Sequence, residues 1–112
     1  MIRLILLTFL LAGSLAAPGV RAEGDPDAGR TKAYTCTGCH GIPGYKNVYP
    51  TYKVPKIGGQ NHAYLVNALK AYRGGEREHS TMNLQAESLS DADINDISAW
   101  LSSLGVKADG GQ

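Results

Sequence analysis

The chain is poor in cysteine. It has two, Cys36 and Cys39, among 112 residues. Two thiols cannot build a disulfide framework, and they leave any tetrahedral zinc site dependent on histidines at no recognised finger spacing. Excess charge of one sign is also missing, with 11 Lys+Arg against 10 Asp+Glu, so composition gives no footprint for nucleic-acid binding. No apolar stretch reaches the ~20 residues that a membrane-spanning helix requires. No alternating β pattern, βαβ unit or internal repeat stands out, which removes the usual setting of a thioredoxin-like dithiol. Methionine is scarce as well: besides Met1 there is Met82 alone.

What is present begins with a leader. Met1-Ile2-Arg3 is basic, Leu4 to Leu11 is apolar apart from Thr8, and Val20-Arg21-Ala22 fits a small-x-small cleavage site before Glu23. This is the pattern of a secretory signal peptide over residues 1–22, followed by one domain over 23–112. An uncleaved anchor is the rival reading, but Gly13 and Pro18 fall where a spanning helix would continue. Ser14 stands where a lipoprotein box would carry cysteine. The expectation is therefore a soluble, exported protein with no stable membrane insertion after cleavage; the periplasm as its compartment comes from the family resemblance given below. Cleavage would also remove Arg3 and Arg21 and turn the charge balance slightly negative.

The chemistry sits in Cys36-Thr37-Gly38-Cys39-His40. C-x-x-C-H is the attachment sequence of a c-type haem. Each thiol can add to one vinyl group, the two-residue spacing lets one helical turn reach both, and the adjacent imidazole falls under the iron. A covalent haem would also staple a domain too small to bury a large core.

Helical periods flank this motif. Asp27 is expected to cap a first helix running towards Cys36, with Gly29 at a close helix contact. Residues 41–59, broken by glycines and prolines, read as a loop that packs through Tyr45, Tyr49, Tyr52, Val48, Val54 and Ile57. A second helix starts at Gln60 or Asn61, carries Tyr64, Leu65, Ala68, Leu69 and Tyr72 on one face, and ends at Gly74-Gly75. His62 lies in its first turn, where an exposed or hydrogen-bonded side chain is expected. Residues 76–89, with Met82, read as loop. Ser90, with Asp93 in the capping-box position, starts a last helix over 91–104 whose buried stripe is Ile94, Ile97, Leu101 and Leu104, with Trp100 beside it. A loose tail follows from Lys107. Basic residues gather in the middle (Lys46, Lys53, Lys56, Lys70, Arg73, Arg77) and acidic ones after them (Glu87, Asp91, Asp93, Asp96), which reads either as a solvated surface or as a dipole that orients a partner.

Taken in order, Cys36-Thr37-Gly38-Cys39-His40-Gly41, Pro55-Lys56-Ile57-Gly58-Gly59-Gln60, Tyr64-Leu65-Val66-Asn67-Ala68-Leu69, Tyr72-Arg73-Gly74-Gly75-Glu76-Arg77, Met82, Leu89-Ser90-Asp91-Ala92-Asp93-Ile94 and Trp100-Leu101-Ser102-Ser103-Leu104 resemble the class I monohaem cytochromes c of short bacterial type. The chain is especially similar to one half of the two-haem bacterial cytochromes c. The resemblance implies a periplasmic protein of all-α fold, with three main helices and long loops wrapped around one covalent haem c. It implies Cys36 and Cys39 as attachment points, His40 as proximal and Met82 as distal iron ligand, and Pro55 as carbonyl acceptor for His40. It also implies a crossing of first and last helices near Gly29 and Trp100. The tyrosine-rich loop from Tyr45 to Tyr52, and Trp100 in place of the usual tyrosine or phenylalanine, depart from the family pattern. Met82 is independently the sole thioether of the mature chain; His79 is the main competing ligand and His62 the next.

The functional expectation is a monomeric single-electron carrier between redox proteins, not an enzyme. A haem enzyme or gas sensor with an open sixth position, and an electron-entry subunit held on a larger oxidoreductase, are the competing classes.

Overall fold

The computed structural model describes residues 24–105, so the expected leader at 1–22 and the tail from Lys107 lie outside the described residues. These form four helices: α1 (Pro26–Lys32), α2 (His62–Gly74), α3 (Ser80–Ala86) and α4 (Asp91–Ser103). No strand occurs among the described residues. The all-α architecture is as expected, but α3 is a helix more than the three expected, and it occupies the stretch read as loop around Met82.

The cap of α1 is Asp25 rather than Asp27. Asp25 accepts from the backbone N–H of Asp27 at 2.9 Å and Ala28 at 3.4 Å. Pro26 explains the shift: at the first helical position its missing N–H costs nothing and its fixed φ suits the helix. Asp27 lies in the first turn, where an acid favours the dipole. α2 is capped by Asn61, which accepts from Tyr64 N–H at 3.0 Å, and ends at Gly75 in the left-handed region (φ 84°). α4 starts with a reciprocal box: Ser90 Oγ accepts from Asp93 N–H at 3.1 Å, and Asp93 accepts from Ser90 N–H at 3.0 Å.

α1 and α4 cross at Gly29. A methyl group there would collide with the Asp96 carbonyl oxygen and lie 3.0 Å from Trp100 Cβ, so only glycine permits the approach. Lys32 closes the crossing from outside with Asp93 at 2.9 Å and Asp96 at 2.6 Å, and Asp96 also accepts from Asp25 N–H at 2.8 Å. The core joins Ala33, Ile42, Leu65, Ile97, Trp100 and Leu101, with Cys36, Ile57, Leu69, Leu89 and Leu104 packed against it. Tyr64 leaves the expected α2 face and is 51% exposed. Leu65, Ala68, Leu69 and Tyr72 follow i, i+3, i+4 and i+7, and Tyr64 precedes that stripe by about 100° of turn.

Part of the charge seen along the chain is paired in the fold. Arg73 donates to Asp91 at 2.6 Å and to the Leu89 carbonyl at 2.9 Å, and Lys70 stands 3.9 Å from Asp91. Basic and acidic blocks thus pair across α2 and α4. Lys46, Lys53 and Lys56 carry no ion pair among the described residues.

Candidate functional site

After α1 the backbone continues in helical turns to His40. Cys36 N–H donates to Ala33 O at 2.9 Å, and Cys39 and His40 N–H both donate to Cys36 O, at 3.3 and 3.1 Å. Thr37 Oγ donates to Tyr34 O at 2.7 Å. This winding puts both thiols and the imidazole on one short coil. Neither cysteine is in a disulfide, and both are half-buried. Burial pushes the Cys36 thiol up from its ordinary value.

The following segment is tied back onto this coil. Gly41 turns at φ 63° and donates to Asn47 Oδ1 at 3.1 Å, and Val48 N–H donates to Gly38 O at 2.7 Å. His40 is 8% exposed, and its Nδ1–H donates to the Pro55 carbonyl at 2.6 Å. That bond fixes the tautomer and ring plane and leaves Nε2 as the nitrogen with an available lone pair. Further on, Gly59 N–H donates to Leu101 O at 2.8 Å and anchors the segment to α4.

Not all of this segment packs as expected. Ile57 joins the core and Val54 is half-buried, but Val48 and Tyr49 are 66% and 67% exposed, and Tyr45 and Tyr52 are also open. Met82 lies half-buried in the first turn of α3. His79 is committed elsewhere: it is the N-cap of α3, its Nδ1 accepts from Met82 N–H at 3.4 Å, and its Nε2 lies 3.5 Å from the Tyr52 hydroxyl. His62 is half-buried on α2 with Nε2 buried and without a hydrogen-bond partner among the described residues, unlike the exposed or bonded side chain expected. The described residues assemble no group of three or more His, Cys, Asp or Glu able to hold a metal ion, so Cys36, Cys39 and His40 are not completed by His62 or His79.

The donor set can be tested against a haem c. Two free thiols at the required spacing, a buried imidazole with one nitrogen saturated and the other available, and a half-buried thioether further along the chain all suit one. The open apolar side chains of residues 45–52 suit it too, because a macrocycle is apolar over most of its surface. The residues present fit the group.

The cytochrome c family profile matches residues 27–105. The chain belongs to the cytochrome c family. Cytochrome c-554(548) of Halomonas halodenitrificans is 43% identical over 83 residues, covering 71% of this chain and 96% of that protein. Cytochrome c4 of Pseudomonas aeruginosa is 35% identical over 99 residues, covering 88% of this chain and 45% of that protein. The thiosulfate dehydrogenase electron acceptor of Thiomonas intermedia is 30% identical over 89 residues, covering 80% of this chain and 38% of that protein. The chain thus spans nearly the whole of the first relative and half or less of the other two. As a cytochrome c it is an electron-transfer protein of a covalent-haem family. Among the described residues no helix is long and apolar enough to cross a membrane.

Two residues at this site escaped sequence reasoning. Asn47 fastens Gly41, and Asn83 fastens α3 to its surroundings. A buried-side amide next to a turn glycine or a short helix is the only local signal for either, and it is a weak one.

Proposed function

We propose that the chain is an exported, periplasmic single-electron carrier holding one haem c through thioethers at Cys36 and Cys39, with His40 and Met82 as axial ligands. The observation that carries this reading is the short bond from His40 Nδ1–H, at the end of the C-x-x-C-H coil, to the Pro55 carbonyl. It orients the ring, raises the basicity of Nε2, and ties the ligand to a loop 15 residues away. When bound, the haem supplies the reversible one-electron couple. The protein's part would be to bury that couple, to hold the iron through His40 and Met82, and to limit water. A thioether on the distal side favours the ferrous state and raises the potential relative to harder ligands. Held by His40 and Met82 together, the iron would offer no position to a substrate, and no acid, base or nucleophile would be required.

Export is supported by the basic start, the apolar run Leu4–Leu11 and the Val20-Arg21-Ala22 site. The likeness to the Thiomonas thiosulfate dehydrogenase electron acceptor supports a place beside a dehydrogenase as acceptor of its electrons. The carrier is read as a monomer whose donor and acceptor are other redox proteins.

The test is the ferric optical spectrum of the exported, haem-loaded protein. The weak long-wavelength thioether-to-iron band is expected, and Met82→Ala should remove it, lower the potential and let the reduced iron take up carbon monoxide. A low-spin protein without the band would give the sixth position to another side chain. A high-spin spectrum would transfer the chain to the haem enzymes or sensors.

A further inference from the structure

α3 is poorly placed to hold a ligand by packing. It has seven residues, about two turns, and a helix that short is not stable by itself. Ala86 is its one buried residue, Leu84 is exposed, and among the described helices α3 packs against α2 alone. Something other than a hydrophobic face must set where Met82 stands.

The next residue does this. Asn83 Nδ2 donates to the Tyr72 carbonyl at 2.8 Å and to the Arg77 carbonyl at 2.9 Å, and its Oδ1 accepts from His79 N–H at 2.8 Å. Tyr72 lies in the last turn of α2, where carbonyls have no partner within the helix. Arg77 belongs to the linker folded against that end, its N–H donating to Ala71 O at 3.2 Å and its guanidinium 4.6 Å above the Tyr72 ring. His79 N–H is at the start of α3. One amide therefore closes the C-terminus of α2, the linker and the N-terminus of α3 together. Two donors and an acceptor in this arrangement are what an amide has and a carboxylate or a hydroxyl lacks.

We infer that Asn83 is the positioning residue for the axial methionine: its side-chain amide clamps α3 to the end of α2 and so holds Met82 in reach of the iron. The inference rests on Met82 being a ligand. Opening the clamp lets α3 swing on the linker, and the thioether leaves while the α1–α4 crossing stays closed. The coupling is reciprocal: whatever displaces Met82 must loosen the clamp.

Asn83→Asp keeps the acceptor for His79 N–H and sets a carboxylate against two carbonyls. In the ferric haem-loaded protein it should weaken the thioether-to-iron band and tighten imidazole binding about tenfold, the size expected for losing two modest hydrogen bonds that favour the ligated state. Ser90→Ala, which removes the α4 cap, is the control: it should lower stability and leave imidazole affinity alone. A haem-loaded Asn83→Asp with unchanged imidazole affinity, or a shift equal to that of Ser90→Ala, overturns the clamp. If Asn83→Asp does not load haem, the unmodified protein decides. Cyanide, by displacing Met82, should speed exchange of the Asn83 side-chain amide protons by about tenfold or more, and unchanged exchange overturns the clamp. If the unmodified protein has no thioether band, the ligand reading and the clamp both fall. If the band is present and Asn83→Asp leaves it intact, the clamp alone falls.

Discussion

The α1–α4 crossing and the segment from Gly41 to Gln60 lie in the same small domain and are closed by different means. At the crossing, Gly29 meets the Asp96 carbonyl, Trp100 and Ile97 are buried, and Lys32 spans two carboxylates. Every contact there is polypeptide on polypeptide. The segment has no regular structure; it is pinned by single hydrogen bonds at Gly41, Val48, Pro55 and Gly59 and leaves Val48 and Tyr49 open. Its apolar residues are too many for a solvated loop. The difference divides one small domain in two: α1 and α4 make a corner closed by protein alone, and residues 41–60, without regular structure, leave apolar side chains open that would suit the haem proposed above. The C-x-x-C-H coil joins them, with Cys36 packed on the core of the first and His40 bonded to the second.

The largest expected effect breaks that junction. Cys36→Ala with Cys39→Ala should abolish covalent haem, read as loss of haem-associated peroxidase stain in a denaturing gel. Hydrogen exchange should then rise further over residues 41–60 than at α1 and α4. A double variant whose haem survives denaturation would remove the attachment assignment, and equal loss of protection in both regions would remove the comparison.

A smaller effect separates the regions by their glycines. Gly29→Ala gains about 1 kcal/mol of helix propensity. The collision with backbone outweighs this, because overpacking at a closed contact costs up to about 3 kcal/mol, so a net loss of about 2 kcal/mol is expected in denaturant unfolding. Gly44, unlike Gly29, has positive φ, 85°, and nothing within 4 Å of an added methyl group. Gly44→Ala should therefore cost only about 1 kcal/mol, from backbone strain. Equal losses at the two sites would mean that the segment is as tightly determined as the corner.

The parts of the fold readable in advance are those whose signals are local. The box at Ser90 and Asp93, the Ile94, Ile97 and Leu101 stripe, and the Gly74-Gly75 stop each depend on spacing within one turn or two, and the structure has them. C-x-x-C-H is local in the same way. Glycine at 29 opposite Trp100 was readable through the family resemblance. The failures are of another kind. Asp25 and Asp27 flank Pro26 and are equally good caps, so one residue of phase decided the assignment. α3 is shorter than the window in which helical period can be recognised, and its histidine cap is a weak signal. The cancellation of Arg73 and Lys70 by Asp91 joins residues about twenty apart, and the exposure of Tyr49 depends on what faces it. Asn83, bonded to three separate backbone groups, is invisible until α2 and α3 are in place.

The smallest effect is a pH dependence centred on the corner, with Asp91, lowered by Arg73 on α2, adding to it from the α2–α4 side. The Ser90 backbone N–H, followed by the Lys32 ammonium, holds the Asp93 carboxyl down at about 2, below its ordinary 3.8. Lys32, followed by the Asp25 N–H, lowers Asp96. Lys32 itself is raised above 10.5 by Asp96 and Asp93. A carboxyl depressed in the folded state stabilises it above the unfolded value and ceases to do so as pH falls through the folded value. Stability of the corner should therefore be flat through neutral pH, decline from about pH 4 towards pH 2, and decline again only above the ordinary lysine range. Asp93→Asn keeps a carbonyl acceptor for Ser90 N–H while removing the charge, so it should shrink the acid limb to what Asp96 and Asp91 contribute, without uncapping α4. Exchange of α1 and α4 amides between pH 5 and pH 3 reads this directly. Residues 41–60 contain no carboxylate and should show no such limb of their own. An acid limb of equal size in both regions would show that they open as one unit, and the two parts of this domain would then share a single cooperative element.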